Sequence, residues 1–251
     1  MSTATIPNEK PKNTVEMTPF PNVLRILTIL TVLGVAITLY LGLFAAGTDI
    51  AQGEVQRLFY IHMPSFFGGF VAYGATVVGG IMYLIKRDPK WDRMAVAGVE
   101  VGTALSMITL MTGIAWMRPI WNSWWLWDPR LTSAAIMILT YAAYLMLRAG
   151  IENPDTRRRF ASVYGILAFT TVFLTLIIIR IRPDTIHPAV IGPSPQNAQG
   201  DFEATAGVVM ALVPSLILYA TLVPITLMWY RIRLENMLDA LEIRKMQVLS
   251  E

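Results

Sequence analysis

Apolar residues fall along this 251-residue chain in long runs, broken by short polar intervals. Six runs approach or exceed the roughly 20 residues that a helix needs to cross a hydrocarbon layer of about 30 Å. They cover residues 23–46, 65–85, 97–117, 130–147, 161–179 and 207–229. The pattern predicts an all-α integral membrane protein, a bundle of six transmembrane helices. The first run is too long for a signal-peptide core and five more follow it, so it reads as a retained span. Residues 1–22, with Pro7, Pro11, Pro19 and Pro21, read as a flexible tail. Residues 23–230 then form the membrane domain, and 231–251 a C-terminal tail.

Composition agrees, with 55% hydrophobic and only 15% charged residues. There is no cysteine. Disulfides, thiolate metal sites and thiol redox chemistry are thereby excluded, as is a C-x-x-C-H attachment of haem to this chain. No G-x-x-x-x-G-K-[ST] loop is present, so the chain is not itself the ATPase of a pump.

The net charge of +3 matters less than where the 20 Lys and Arg sit. The N-terminal segment carries Lys10, Lys12 and Arg25, and four basic residues fall in each of 86–94, 148–159 and the C-terminal tail. The alternate side of the map holds only Arg57, Arg118, Arg130, Arg180 and Arg182. Such a bias places both termini and the second and fourth loops in the cytoplasm, and the first, third and fifth loops outside. It suggests a membrane setting and no nucleic-acid partner.

Three unusual features then share the outer face. One is a tryptophan-rich loop at 116–130, within WMRPIWNSWWLWDPRLTS, holding Trp116, Trp121, Trp124, Trp125 and Trp127 of the chain's seven tryptophans. The others are the two histidines, His62 just before the second span and His187 between the fifth and sixth. The first and fifth loops, about 18 and 27 residues, are long for a bundle, and long loops tend to carry function.

Two neutral imidazoles suit a transition metal, including the two faces of a haem iron. A closed zinc site would have to add carboxylates from among Asp49, Glu54, Asp184, Asp201 or Glu203. Indoles often anchor at membrane interfaces, but a lipid belt spreads them over many helix ends rather than one loop. Concentrated here, they suit a large flat π-rich ligand such as a porphyrin, with outer-face arginines available for its carboxylates. Asp128 has a structural reading of its own, because Asp-Pro-Arg-Leu before an apolar run describes a helix N-cap with proline at the first helical position. Glu100 and Arg25 fall near cytoplasmic helix ends rather than mid-membrane. Pro214 and Pro224 are candidate kinks in the sixth span.

The segment WNSWWLWDPRLTS resembles the WWD signature of haem-handling proteins in cytochrome c biogenesis, and the chain as a whole is similar to the CcmC type, with six spans and a histidine in each outer loop flanking the WWD loop. RLFYIHMPS at 57–65 resembles the segment around the family's first histidine. IRPDTIHPAVIGP keeps the second His-Pro and lacks the paired tryptophans that often precede it. The resemblance implies haem b as cofactor, with His62 and His187 as axial ligands of its iron. It implies Trp121, Trp124, Trp125, Trp127 and Asp128 as the platform, with Arg118 and Arg130 nearby. It also implies a non-enzymatic scaffold in the inner membrane with its site facing the periplasm. That scaffold would present haem to the chaperone CcmE, alongside the ABC transporter pair CcmA and CcmB, the small subunit CcmD and membrane lipid. Two alternatives stay open: a haem lyase of the CcsA or CcmF kind acting directly on apocytochrome, and a subunit that translocates haem. A structural subunit anchored by its Trp loop is a third.

Overall fold

Glycine lets the two central helices close on one another. In the computed structural model, which describes residues 20–189, 193–199 and 205–249, α2 (Phe59–Lys86) and α3 (Pro89–Trp121) form the axis of the bundle. A Cβ at Gly79 would lie 2.7 Å from the carbonyl oxygen of Trp91 and 2.8 Å from the nitrogen of Ala95. Only a residue without a side chain allows that approach, which is how apolar helices pack without a hydrophobic drive between them.

α4 (Pro129–Gly150) and α5 (Pro154–Ile181) pack as a hairpin against one flank of this pair. The opposite flank takes α6 (Ala206–Ala220), α7 (Leu222–Leu249) and the peripheral α1 (Asn22–Tyr40), which buries only Leu24 and Thr38. A π-helical turn, Leu41–Ala45, extends α1, and a 3-10 turn, Glu54–Leu58, leads into α2. Among the described residues the secondary structure is helical, apart from a single bridge between Asp49 and Gly53. Six helical units are long and apolar enough to cross a membrane, α6 and α7 together forming the sixth. The chain is therefore a multi-pass, all-α membrane protein.

Local chemistry sets the helix ends. Asp88, Asn153 and Asp128 each cap a helix whose next residue is proline, and each side chain accepts a backbone N–H of the first turn. Asn122 stops α3 in the left-handed conformation at φ 51°. α6 and α7 separate at Thr221, one turn before Pro224, whose ring excludes the hydrogen bond to Ala220. Pro214, the other expected kink, sits inside an uninterrupted α6.

Two expectations shift. His62 lies inside α2, one turn into it, rather than ahead of the second span. Residues 231–249, read as a tail, continue α7 as helix. The expected N-terminal tail lies almost wholly outside the described residues, which begin at Phe20.

The end of the bundle away from the Trp loop is tied by ion pairs. Arg148 donates to both carboxylate oxygens of Asp92, at 2.7 and 2.9 Å, and Arg158 lies 3.7 Å from the same carboxylate. Arg231 joins Glu100 to Glu235, and Arg93 pairs with Asp239 at 2.7 Å. Glu100 thus sits with a cationic partner, about three turns into α3 rather than at its end.

Candidate functional site

The helix chemistry of α2 and α3 puts the first histidine in a fixed place. Gly113 of α3 leaves room for the His62 ring, since a Cβ there would come within 3.0 Å of Cε1. Beside it, Thr112 Oγ1 lies 3.2 Å from His62 Nδ1. The Thr112 hydroxyl sits 2.7 Å from the carbonyl of Ile108 and 3.0 Å from that of Thr109, and carbonyls only accept. Its one proton therefore goes to a carbonyl, and its oxygen accepts from Nδ1–H of His62. The neutral ring that results carries its lone pair on Nε2.

His187 reaches the same state by another route. Its Nδ1 lies 2.8 Å from the carbonyl of Pro188, which can only accept, so Nδ1 holds the proton and Nε2 the lone pair. Burial, with the nearby charge of Arg130 and the neighbouring His62, pushes its pKa down to about 3. Near neutral pH the ring is uncharged, the form in which imidazole binds a metal.

Both rings line one cleft, together with residues of α3 and the turn before α2. Its walls are mainly apolar, with Phe59, Met63 and Leu131, and Trp116 and Trp121 close one side as an edge-to-face pair at 4.8 Å. Two glutamines from the turn before α2 add polar groups. Gln52 accepts from Trp116 Nε1 at 2.8 Å, and buried Gln56 bonds Tyr60 at 3.0 Å. Trp121 Nε1 is buried and has no acceptor among the described residues, so an N–H in the cleft wall is left for a ligand.

Behind the cleft a second chamber is lined by the same two histidines and by Arg130. The Arg130 guanidinium donates through Nη1 to the carbonyls of Thr175 (2.6 Å) and Leu176 (3.2 Å) and lies 5.0 Å over the Phe66 ring. No described carboxylate comes within ion-pair distance of it. Asp128 acts on its charge only from beyond that distance, so a ligand carboxylate would be the first to contact the guanidinium directly.

The remaining site candidates lie elsewhere. Trp124 and Trp127 do not line the cleft; they are 63% and 83% exposed, on a ledge beside it. Trp125 packs edge to face on Trp127 at 5.8 Å and is likewise off the lining. Arg118 donates to the carbonyl of Asn122 and lies 5.8 Å over Trp124, on the surface. Asp128 is buried and faces away from the cleft, its carboxylate occupied by backbone and side-chain donors. Gly113, Met117, Gln52 and Gln56 line the cleft although the sequence reading gave them no role, and Trp116, named there only as one of the tryptophan cluster, lines it as well. Gly113, Trp116 and Met117 recur at helical i, i+3, i+4 spacing, a signal that was available.

A carboxylate-assisted zinc centre finds no support among the described residues, where no three His, Asp or Glu side chains converge. Asp201 and Glu203, named as possible ligands, lie outside them.

Fold and site together define a class: a six-span membrane protein presenting two neutral imidazoles and an edge-to-face pair of indoles to one cleft, with an arginine bordering the chamber behind it. Comparison with known proteins agrees. The chain belongs to the family described as Heme exporter protein C (CcmC), whose profile matches residues 7–239. It is 34% identical over 134 residues to "Heme exporter protein C" of Paracoccus denitrificans, covering 53% of this chain and 54% of that one. A protein of the same name from Rhodobacter capsulatus is 34% identical over 147 residues, 58% of this chain and 60% of the other. A "Putative cytochrome c biosynthesis ccmC-like mitochondrial protein" of Arabidopsis thaliana is 36% identical over 110 residues, 44% and 43%. The matched segments thus span about half the length of these relatives.

Proposed function

We propose that this chain binds haem b as cargo at the outer face of the inner membrane and presents it for c-type cytochrome maturation. One observation carries the reading: His62 and His187, 125 positions apart, both line a shared cleft with Nδ1 engaged and Nε2 left as the lone-pair nitrogen, and both also line the chamber that Arg130 borders. Haem supplies an iron that accepts axial nitrogens and carboxylates that accept cationic donors. His62 and His187 serve as the axial ligands, while Trp116 and Trp121, set edge to face, offer the macrocycle one indole face and one indole edge. Arg130 pairs with a propionate, being the one outer-face arginine whose guanidinium borders the histidine chamber. The exposed Trp124 and Trp127 form the ledge over which cargo passes to a partner.

Orientation follows from the basic residues, most of which lie at the end of the bundle away from the cleft. The receiving partner is a haem chaperone of the CcmE type, with CcmA, CcmB and CcmD as the transporter assembly, as family membership supports. The chain acts as a binding and transfer scaffold, holding haem at a fixed angle so that covalent capture belongs to the chaperone.

The test is spectroscopic. Protein purified in detergent after expression with ample haem should show the absorption of six-coordinate low-spin haem. His62→Ala and His187→Ala should each convert it to a five-coordinate spectrum or lose the haem. Haem-free wild type, or two variants with unaltered spectra, would overturn the assignment.

A further inference from the structure

The aspartate that closes the tryptophan-rich loop faces no cleft. Asp128 is 7% exposed, and its two carboxylate oxygens are divided between two tasks. Oδ1 accepts from the backbone N–H of Arg130 at 2.8 Å and caps α4. Oδ2 accepts from the hydroxyl of Thr185 at 2.6 Å and from the backbone N–H of Ile186 at 2.8 Å. Thr185 is fully buried, and its oxygen in turn accepts from the backbone N–H of His187 at 3.1 Å. An unbroken chain of hydrogen bonds runs from the start of α4 to the backbone of the second histidine.

We infer that Asp128 is a positioning residue, a latch that fixes the loop bearing His187 to the rigid N-terminus of α4 and so sets where the second iron ligand stands. This rests on the haem-ligand reading above and deepens it. His62 needs no such device, being held within α2. His187 sits on non-helical backbone, where the ties include the latch, the bond from Gln199 N–H to the Ile186 carbonyl, a bond from Thr185 N–H to the Arg182 carbonyl at 3.4 Å, the ring's own bond to the Pro188 carbonyl and one from Ala189 N–H to the Ser194 hydroxyl. Charge-assisted bonds from a buried hydroxyl and a part-buried backbone N–H are the strongest of these. The arrangement is that of a metal site's outer shell, in which a carboxylate orients a histidine indirectly.

Asp128→Asn and Thr185→Val separate the latch from the helix cap. Asparagine caps a helix about as well as aspartate, yet its amide N–H₂ would face two donors where Oδ2 accepted them. Valine keeps the shape of threonine and removes the hydroxyl without changing charge. Thr185→Ser restores it and is the rescue variant. Two readouts are used: hydrogen exchange of segment 183–189 in haem-free protein, and the haem spectrum and retention after loading.

The latch predicts faster exchange in both variants and a spectrum moved toward five-coordinate haem, with retention weakened about 10- to 100-fold. Added imidazole should return the six-coordinate spectrum, and Thr185→Ser should match wild type in exchange and spectrum. Exchange unchanged in Asp128→Asn and Thr185→Val overturns the latch. Faster exchange with wild-type six-coordinate haem, in a protein where His187→Ala does alter the spectrum, overturns the positioning role. An unaltered spectrum in His187→Ala overturns the haem-ligand reading itself and the positioning role with it, whatever the exchange rates show.

Discussion

Gly113→Ala isolates the placement of His62 from every other feature of the cleft. The added Cβ would stand 3.0 Å from His62 Cε1 and 3.5 Å from Nδ1, where ordinary contact begins at 3.4 Å. The ring must retreat by about 0.4 Å. Thr112 sits on the same helix, so the retreat carries Nδ1 away from its hydroxyl. The bond of 3.2 Å then stretches past hydrogen-bonding range. Losing it costs about 0.5–1.5 kcal/mol, and an off-rotamer ring costs about as much again. Together these make roughly 1–3 kcal/mol, or about 5- to 150-fold weaker haem retention. Backbone propensity pushes the other way, because alanine favours a helix interior over glycine by about 0.8–1.0 kcal/mol. The haem-free protein should therefore unfold within about 1 kcal/mol of wild type while haem retention falls. Gly74→Ala is the control, since a Cβ there meets nothing within 4 Å. Retention is measured by titrating haem into detergent-solubilised apoprotein, and stability by thermal unfolding of the same samples. Wild-type retention and spectrum in Gly113→Ala would refute the argument that His62 is held at ligand geometry by that contact.

Three further outcomes follow from the same structure. Arg148→Met leaves the buried carboxylate of Asp92 with only the longer contact to Arg158, and should lower stability by about 3–5 kcal/mol in detergent denaturation; Asp92→Leu with Arg148→Met should recover much of that loss. Arg130→Met should weaken haem retention severalfold while residual haem keeps the two-histidine spectrum, because the cation borders the chamber but donates only to backbone. Trp127→Ala removes an exposed ring off the cleft lining, so haem retention should stay unchanged while covalent haem on a co-expressed chaperone falls; a fall in retention would place Trp127 in the binding site instead.

The spans were legible in the sequence because hydropathy adds up locally and needs no partner to be read. The convergence of His62, His187 and the Trp loop on one end was legible for a related reason: alternate loops of a spanning chain must share a side. What periodicity missed are contacts whose signal is shared between distant segments. GEVQRLFYIHMPS looks like loop, polar and interrupted by Pro64, yet its turn packs against α3, and α2 begins at Phe59, so that proline falls inside the helix, in its second turn. Trp121, Trp124, Trp125 and Trp127 read as one surface, but Asn122 leaves the helix at positive φ. After that turn no helical face links Trp121 to the other three. The Asp128 cap was legible from Asp-Pro-Arg, whereas its second oxygen answers to Thr185 and Ile186, 57 and 58 residues away.

That last contact changes what the tryptophan-rich motif means in this chain. A motif read as a single binding surface resolves into three jobs on one short segment: Trp121 borders the cleft, Trp124 and Trp127 face outward beside it, and Asp128 grips the opposite loop. The proposed ligands then differ in mechanical standing. His62 is built into a helix that glycine packs tightly against its neighbour, so its ring moves only if α2 or α3 moves. His187 depends on side-chain bonds to α4 across a loop, and breaking a few hydrogen bonds frees it without unfolding a helix. A site meant to store its cargo gains nothing from that difference. One meant to load and then release it needs a rigid half to define the geometry and a second half that can open, and this division of support between α2 and the latched loop provides both.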